Sequence, residues 1–299
     1  MELVLTLIAD PRRPVVDRDS VQRVQLMLST SGASLGTQSW LADGIAVDLP
    51  FSGLASDTAS TAARAALGDR PIDVIAQPAA GRRKKLLVAD MESTIIENEM
   101  LDELADFFGL RAQIAAVTAR AMNGEIDFAA ALRERIGLLK GLKTALLDEA
   151  AKRIAYTPGA RALVATMRAN GAWCALVSGG FTHFTAIVRR AVGFDEDRAN
   201  RLLADGDTLA GAVAEPILGK EAKLAALQEL TATRHLAPSE TMSVGDGAND
   251  LPMLQAAGLG VAFHAKPSVA AAVAANVRHG DLTALLYAQG YRQSEFVSD

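Results

Sequence analysis

The chain has 299 residues, 50% of them hydrophobic, and a formal net charge of −5. This length allows a sizeable core in one large domain or two unequal ones. The absence of a long basic run argues against a nucleic-acid-binding face or a patch for anionic membranes, and no apolar run reaches the roughly 18 residues of a membrane helix. A single cysteine, Cys174, excludes an intrachain disulfide and is typical of a reducing cytoplasm, where we expect this protein.

The first 80 residues predict a small domain of their own. Strand-like runs lie at 2–9, 33–41, 44–51 and 71–78, and helical patterns lie at 19–31 and 56–68. The order βαββαβ is typical of a ferredoxin-like α+β sandwich, and this topology resembles the ACT-like regulatory domains of amino-acid-metabolising enzymes. The resemblance implies an amino-acid effector at this domain, and the small basic segment 79–85 is interpreted as a linker.

From residue 85 the pattern changes to strands that alternate with helices. Four nearly continuous apolar runs are typical of a parallel sheet covered on both faces, at 85–89, 172–178, 240–245 and 258–263. The first two are separated by about 70 residues of helical pattern, at 97–108, 111–122, 127–138 and 144–154. Insertions over strand ends often act as lids. We therefore predict an α/β domain over 81–299 with a helical cap at about 97–155.

Polar clusters follow three of these predicted strands. They are Asp90, Ser178-Gly179-Gly180 and the segment GDGANDLPM at 245–253. Because ligands bind outside the carboxyl ends of the strands in open α/β sheets, the three clusters should converge. Each cluster alone also fits a helix cap or a turn, and Lys220 alone fits a surface lysine. Their order and their expected convergence favour a functional site.

The chemistry that suits this set is phosphoryl transfer. Asp90, Asp246 and Asp250 offer the oxygen ligands that Mg²⁺ prefers, and the cation would reduce the repulsion between a carboxylate and a phosphate dianion. Ser178, the glycine amide after it and Lys220 are suited to hold the other phosphate oxygens. Asp90 is then placed to attack phosphorus and form an aspartyl-phosphate.

Taken together, the motifs resemble those of the haloacid dehalogenase-like phosphatases, and within them the phosphoserine phosphatases. The motifs are Asp90-Met91-Glu92-Ser93-Thr94, Ser178-Gly179-Gly180, Lys220 and Gly245-Asp246-Gly247-Ala248-Asn249-Asp250. The resemblance covers about 85–285 and implies a Rossmann-like parallel sheet with a cap inserted after the first motif. It also implies Mg²⁺-dependent hydrolysis of O-phospho-L-serine to L-serine and phosphate, the last step of serine biosynthesis.

The resemblance assigns a catalytic role to several positions. It makes Asp90 the nucleophile and Glu92 the acid/base, with the backbone carbonyl of residue 92 as a second Mg²⁺ ligand. Asp246 would be the third protein ligand of the metal. Asp250 would orient a metal-bound water and Lys220.

A second group of positions would bind the substrate. By resemblance, Glu99 pairs with the substrate ammonium, Arg135 holds its carboxylate and Phe128 lies beside it. The phosphate-side contacts would be Ser178, Gly179, Lys220 and Asn249. The residues themselves support a zwitterionic substrate, because Phe128 and Arg135 are seven positions apart and share one helix face. The planar guanidinium of arginine also matches a carboxylate.

Glu92 departs from the family pattern, which usually has aspartate at this position. Glutamate has a similar intrinsic pKa, roughly 4.3 against 3.9. It is one methylene longer, and a displacement of about 1 Å costs on the order of 10²-fold in rate. Three interpretations stay open: a competent hydrolase, a phosphotransferase or phosphatase for another small phosphate ester, and a catalytically silent amino-acid sensor. We favour the hydrolase, and a homodimer is a further hypothesis.

Overall fold

The computed structural model describes residues 2–122 and 125–297. Five positions of the two predicted domains lie outside the described residues: 1, 123–124 and 298–299. The N-terminal elements are β1 (Leu3–Ile8), α1 (Arg18–Thr30), β2 (Ser34–Leu35), β3 (Ser39–Ala42), β4 (Ala46–Ser52), α2 (Ser56–Leu67) and β5 (Asp73–Pro78).

These N-terminal elements form one antiparallel sheet with two helices. The strands lie in the order β2-β4-β1-β5, and β3 also pairs with β4. The strand predicted at 33–41 is therefore two short strands, β2 and β3, and both pair with β4. Helix α1 begins where the Asp17 side chain accepts a hydrogen bond from the Ser20 amide at 2.7 Å, and it buries Val21, Val24 and Leu28. The predicted ferredoxin-like α+β fold is confirmed.

A parallel sheet and the cap follow. The elements are β6 (Leu86–Ala89), α3 (Met100–Phe108), α4 (Arg111–Met122), α5 (Phe128–Gly137), α6 (Ala145–Ala151), α7 (Ala160–Ala169), β7 (Trp173–Phe181), α8 (Thr182–Val192), β8 (Glu196–Asn200), β9 (Leu202–Asp205), β10 (Thr208–Val213), α9 (Lys220–Thr233), β11 (Thr241–Gly245), α10 (Leu251–Ala256), β12 (Leu259–Phe263), α11 (Pro267–Ala272), β13 (Ala275–Val277) and α12 (Ala284–Ala288).

The parallel sheet has six strands in the order β13-β12-β11-β6-β7-β8. Strands β6, β7, β11 and β12 match the four predicted apolar runs, so the predicted α/β fold is confirmed. Strand β8, with the sequence EDRAN, and the three-residue β13 have no long apolar run, because both lie at the edges of the sheet. Strand β6 lies between β11 and β7, so the residues that follow it lie at the centre of the carboxyl edge of the sheet.

The cap consists of helices α3–α6, inserted between β6 and β7 as predicted. The hairpin β9–β10 was not predicted, and it pairs with the cap through the backbone. The amide of Gly141 donates to the carbonyl of Leu209 at 2.8 Å, and the Leu209 amide donates to Leu142 at 2.7 Å. The hairpin therefore attaches the segment after α5 to the rest of the molecule.

The antiparallel sheet is covered on its second face by the main unit. Ile8, Ala46 and Ile75 belong to the same buried cluster as Leu286 and Tyr287 of α12. Burying one such aliphatic side chain is worth about 1.5–3 kcal/mol, so this contact is substantial. The domain boundary at 80–81 falls between β5 and β6 and stays a prediction.

Across 2–122 and 125–297, no helix combines the length and the apolar character needed to cross a membrane.

Candidate active site

Asp90 lies at the carboxyl end of the central strand, where the chain turns sharply. Its amide donates to the Val244 carbonyl of β11 at 3.0 Å, and its Oδ1 accepts from the Met91 amide at 2.8 Å. The residues that follow, Met91–Ile95, form one wide helical turn with Glu92 extended and Ser93 at φ 53°. A left-handed conformation is uncommon outside glycine and costs free energy, so the backbone is strained beside Asp90.

Lys223 lies between two buried carboxylates. Its Nζ is 2.7 Å from Asp90 Oδ1 and 2.6 Å from Asp250 Oδ1. The prediction that Lys220 would occupy this place is wrong. Lys220 is the first residue of α9, its side chain is 62% exposed, and its nearest acid is Glu221 at 3.8 Å. Asp250 therefore orients Lys223 and not Lys220.

Sequence reasoning missed Lys223, although the sequence carries a signal for it. Lys223 begins the buried face of α9, three and four positions before Ala226 and Leu227. A lysine on an apolar helix stripe must meet a counter-ion inside the protein, because an unpaired buried charge is costly.

The cluster contains two carboxyl groups, Asp90 and Asp250, and one ammonium group, Lys223. Burial raises the pKa of Asp90 well above its ordinary value, and the charge of Asp250 raises it further while Lys223 lowers it. Burial lowers the pKa of Lys223, but its two carboxylate partners more than compensate, so that pKa is raised. Two carboxylates thus share one ammonium.

A third carboxylate completes an oxygen-rich group. Oxygen atoms of Asp90, Asp246 and Asp250 all lie within 4.8 Å of one another. Burial raises the pKa of Asp246 to about 6, and the charge of Asp250 adds to this shift. At Gly245, an added Cβ would lie within 2.7 Å of the Asp250 side chain, so only glycine allows this approach. The group fits a hard divalent cation, which takes oxygen ligands and would neutralise the surplus charge.

Ser178, Gly179 and Gly180 lie in the last part of β7, which ends at Phe181, at the same carboxyl end of the sheet. Ser178 is buried, and its Oγ accepts a hydrogen bond from the Gly180 amide at 2.9 Å. Sequence reasoning missed Asn200, the buried last residue of β8. Its Nδ2 donates to the Gly179 carbonyl at 2.9 Å, and its Oδ1 accepts from the Leu218 amide at 2.8 Å. Asn200 therefore joins the end of β7 to the segment that leads into α9.

Glu92 reaches from the strand end to the cap. Its Oε1 accepts from the amide of Met100, the first residue of α3, at 2.8 Å. Its Oε2 lies 3.0 Å from the position that a Cβ would take at Gly180. Burial raises the pKa of Glu92 to about 7, and the charge of Glu99 contributes. A carboxyl group with this pKa can both donate and accept a proton near neutral pH.

The cap places the predicted substrate-binding residues above this cluster. The ring of Phe128 lies 3.5 Å from the positions that Cβ atoms would take at Gly179 and Gly219. Arg135 is half-buried, and burial lowers its pKa while the charges of Asp102, Glu92 and Glu99 raise it. The Glu99 carboxylate is exposed and accepts a hydrogen bond from Ser93 Oγ at 2.7 Å.

Most of the predicted site residues thus lie at this end of the sheet, and four of them are exposed: Glu99, Phe128, Lys220 and Asn249. Asn249 is exposed in the loop after β11, and Lys220 points away from the carboxylates. The roles assigned to the converging residues stay predictions.

Comparison with known proteins identifies the family. A family model described as haloacid dehalogenase-like hydrolase matches residues 87–255. A phosphoserine phosphatase of Lactococcus lactis is 42% identical over 203 residues, which cover 68% of this chain and 94% of that protein. A phosphoserine phosphatase of Streptomyces coelicolor is 38% identical over 253 residues, 84% of this chain and 62% of that longer protein.

A solved structure extends the similarity to both units of the chain. The unliganded structure of a probable phosphoserine phosphatase from Vibrio cholerae superposes with a TM-score of 0.80 at 27% identity. The match covers 98% of this chain and 88% of that one. The chain therefore belongs to the haloacid dehalogenase-like hydrolases, and it is a phosphatase.

Proposed function

We propose that this phosphatase hydrolyses O-phospho-L-serine to L-serine and phosphate, with Mg²⁺ as cofactor, as the last step of serine biosynthesis in the cytoplasm. The observation that carries the proposal is the Asp90–Lys223–Asp250 cluster lying beneath a cap that presents Arg135 and Glu99. The names of the similar proteins support the same substrate.

Asp90 is the proposed nucleophile. Its Oδ1 is held by the Met91 amide and by Lys223, and no described residue donates to its Oδ2. Oδ2 forms the new bond to phosphorus while the bond between phosphorus and the serine oxygen breaks. When bound by Asp90, Asp246 and Asp250, Mg²⁺ would reduce the repulsion between this carboxylate and the phosphate dianion.

Glu92 is the proposed acid/base in both half-reactions. Its protonated carboxyl gives a proton to the departing serine oxygen, and the resulting carboxylate then accepts a proton from the attacking water. The water oxygen binds phosphorus, the bond between phosphorus and Asp90 Oδ2 breaks, and phosphate leaves. A raised pKa of about 7 supports this role and favours a hydrolase over a silent sensor.

The cap is proposed to select an amino acid. Arg135 would bind the substrate carboxylate and Glu99 the ammonium, while Phe128 covers the phosphate pocket at Gly179. An amino-acid effector at the N-terminal unit and a homodimer are kept as further proposals.

The test measures phosphate release from O-phospho-L-serine with and without Mg²⁺. Asp90→Asn should abolish turnover. Arg135→Leu should lower kcat/KM about 10²-fold or more, because it removes a charged hydrogen-bonding partner. The matched control is Arg133→Leu on the same helix, where Arg133 pairs with Glu215 at the surface. Unchanged turnover in Arg135→Leu would refute the substrate assignment, and no release with any metal would refute the activity.

Acceptor variation tests the alternative of phosphoryl transfer. Phosphate release and serine release should stay equal when small alcohols are added to the assay. A shortfall of free phosphate relative to serine would show transfer to the alcohol in place of hydrolysis.

A further inference from the structure

A small cavity lies at the junction of the antiparallel sheet and the main unit, away from Asp90. Its volume is about 130 Å³, too small for a nucleotide-sized ligand and large enough for a small ion. Four basic side chains line it: Arg64, Arg70, Arg278 and His279. The first two belong to the N-terminal unit and the last two follow β13, so both units contribute.

The acidic side chains near this cavity are already engaged. Asp73 is buried and accepts the backbone amides of Arg278 and Gly280 at 2.8 Å each, and that of His279 at 3.1 Å. Arg70 forms ion pairs with Asp17, the residue before α1, at 2.9 Å and with Asp19 of α1 at 2.6 Å. These carboxylates therefore neutralise Arg70 and the backbone dipoles at 278–280.

Two guanidinium groups remain without an acidic partner. Across the described residues, neither Arg64 nor Arg278 forms an ion pair, and the one hydrogen bond from the Arg64 side chain goes to the Val74 carbonyl at 3.3 Å. Burial lowers the pKa of Arg64 and the charge of Arg278 lowers it further, while the charge of Asp73 raises it. Among the described residues Asp73 is the one acid that lines the cavity, and its carboxylate already accepts three backbone amides, so a second anion between the two arginines would reduce their repulsion.

A further lining residue has one polar atom without a partner, although its Nδ2 donates to the Val273 carbonyl at 2.7 Å. The side-chain Oδ1 of Asn276 is buried, and among the described residues it has no donor. A buried acceptor left unsatisfied costs about 1–3 kcal/mol. An anion that also carries a hydrogen-bond donor would satisfy Asn276 as well as the two arginines.

We propose that this cavity binds a small tetrahedral oxyanion that still carries a proton, such as monohydrogen phosphate. Its negative oxygens bridge Arg64 and Arg278, and its O–H faces Asn276. Binding joins the N-terminal unit to the main unit through both arginines and so protects the junction from opening. The site is separate from the phosphate pocket at Ser178.

The test is hydrogen exchange on the full chain with Mg²⁺, followed in peptides that span 64–78 and 273–283. Inorganic phosphate should slow exchange of the amides of 278–280, which donate to Asp73, whereas sodium chloride of equal ionic strength should not. The slowing should reach about tenfold when phosphate is about ten times its dissociation constant, by mass action.

Arg278→Gln should abolish this slowing, and Arg190→Gln on α8 is the control with the same loss of charge. The Arg278 side chain is exposed and forms no ion pair in the described part of the chain, so its substitution should leave the fold intact. Arg64→Gln is the second variant and should act in the same way. Inhibition of the phosphatase by phosphate should be equal in all four proteins, which separates this cavity from the active site.

Several outcomes would overturn the proposal. Equal exchange with and without phosphate in the unmodified chain is one, and equal slowing in Arg278→Gln is another. Slowing by chloride to the same extent would show simple screening. Slowing by L-serine and not by phosphate would identify a carboxylate ligand in place of a tetrahedral oxyanion. All of these results are read from exchange, so they do not depend on which ester the active site hydrolyses.

Discussion

At the scale of single residues, the positions of two charged side chains decide how the site works. Lys223 is held between Asp90 and Asp250, and Glu92 is held by the first amide of α3. In both cases a buried charge is oriented by specific partners. Such groups respond to substitution more strongly than exposed ones.

Replacing Lys223 with methionine should abolish phosphatase activity and lower the free energy of unfolding by about 3–5 kcal/mol, because it leaves two buried carboxylates unpaired. Lys220→Met is the matched control and should keep its stability and most of its activity. Urea unfolding and phosphate release measure the two effects. Loss of activity in Lys220→Met with retention in Lys223→Met would show that the contacts of Lys223 are not functional.

Replacing Glu92 with glutamine should lower kcat about 10²–10⁴-fold, because the amide keeps the hydrogen bond to Met100 but cannot transfer the proton. Glu92→Asp keeps the acid but shortens it, and the bond to Met100 would be lost. We expect a smaller decrease for aspartate, on the order of 10-fold to 10²-fold. Steady-state kinetics at saturating substrate compares the two. A glutamine variant as fast as the unmodified chain would remove Glu92 from the mechanism.

At the scale of elements, loops at the ends of different strands are fixed to one another by side chains. Asn200 is the clearest case, since its amide group bonds to two segments that flank Phe128, at Gly179 and Leu218. It touches the loops and not the substrate, so its role is one of positioning.

Replacing Asn200 with alanine should raise KM for phosphoserine more than it lowers kcat, because the cleft loses its shape while Asp90 and Lys223 stay in place. Three hydrogen bonds are lost, so a decrease in stability of about 1–3 kcal/mol is also expected. Asn200→Asp restores only the bond from the Leu218 amide and should rescue KM in part. A uniform loss of activity that follows the unfolded fraction would indicate a purely structural role.

Elements with a strong pattern could be predicted from the sequence, and those defined by tertiary contacts could not. Strands β6 and β11 are buried apolar runs, and helix α3 of the cap is strongly amphipathic. Strand β8 is polar because it lies at an edge, and the hairpin β9–β10 has a further pairing with the cap, at Lys143 and Thr208, that no local pattern indicates. Asn200 gives no local signal, since its two partners, Gly179 and Leu218, are distant in sequence.

At the scale of the whole molecule, the antiparallel sheet is part of a larger core. The strand β1 is almost entirely buried, which follows from its continuous apolar sequence LVLTLI. The sequence analysis predicted a strand from this run, but nothing in the run identifies α12 as the cover of its second face. Asp73 adds a polar connection, because its carboxylate accepts backbone amides of the main unit.

Replacing Asp73 with alanine should lower the free energy of unfolding by about 2–4 kcal/mol, because it leaves three buried or half-buried amides without their acceptor. Asp69→Ala, in the exposed turn after α2, is the control and should not change stability. Denaturant unfolding gives the comparison. Equal stability of the two variants would mean that the apolar contact alone holds the units together.

The pairing of the hairpin β9–β10 with the segment 141–144 has a consequence for substrate entry. Backbone hydrogen bonds also join the two segments that connect the cap to the main unit, since the Glu97 amide donates to Ala155 at 2.8 Å and the Thr157 amide donates to Ile95 at 3.0 Å. Any movement of the cap that admits an ester must therefore turn about one of these pairings or break it. Because Glu92 accepts a hydrogen bond from the first amide of α3, a cap movement that shifted α3 would also change the position of the proposed proton donor.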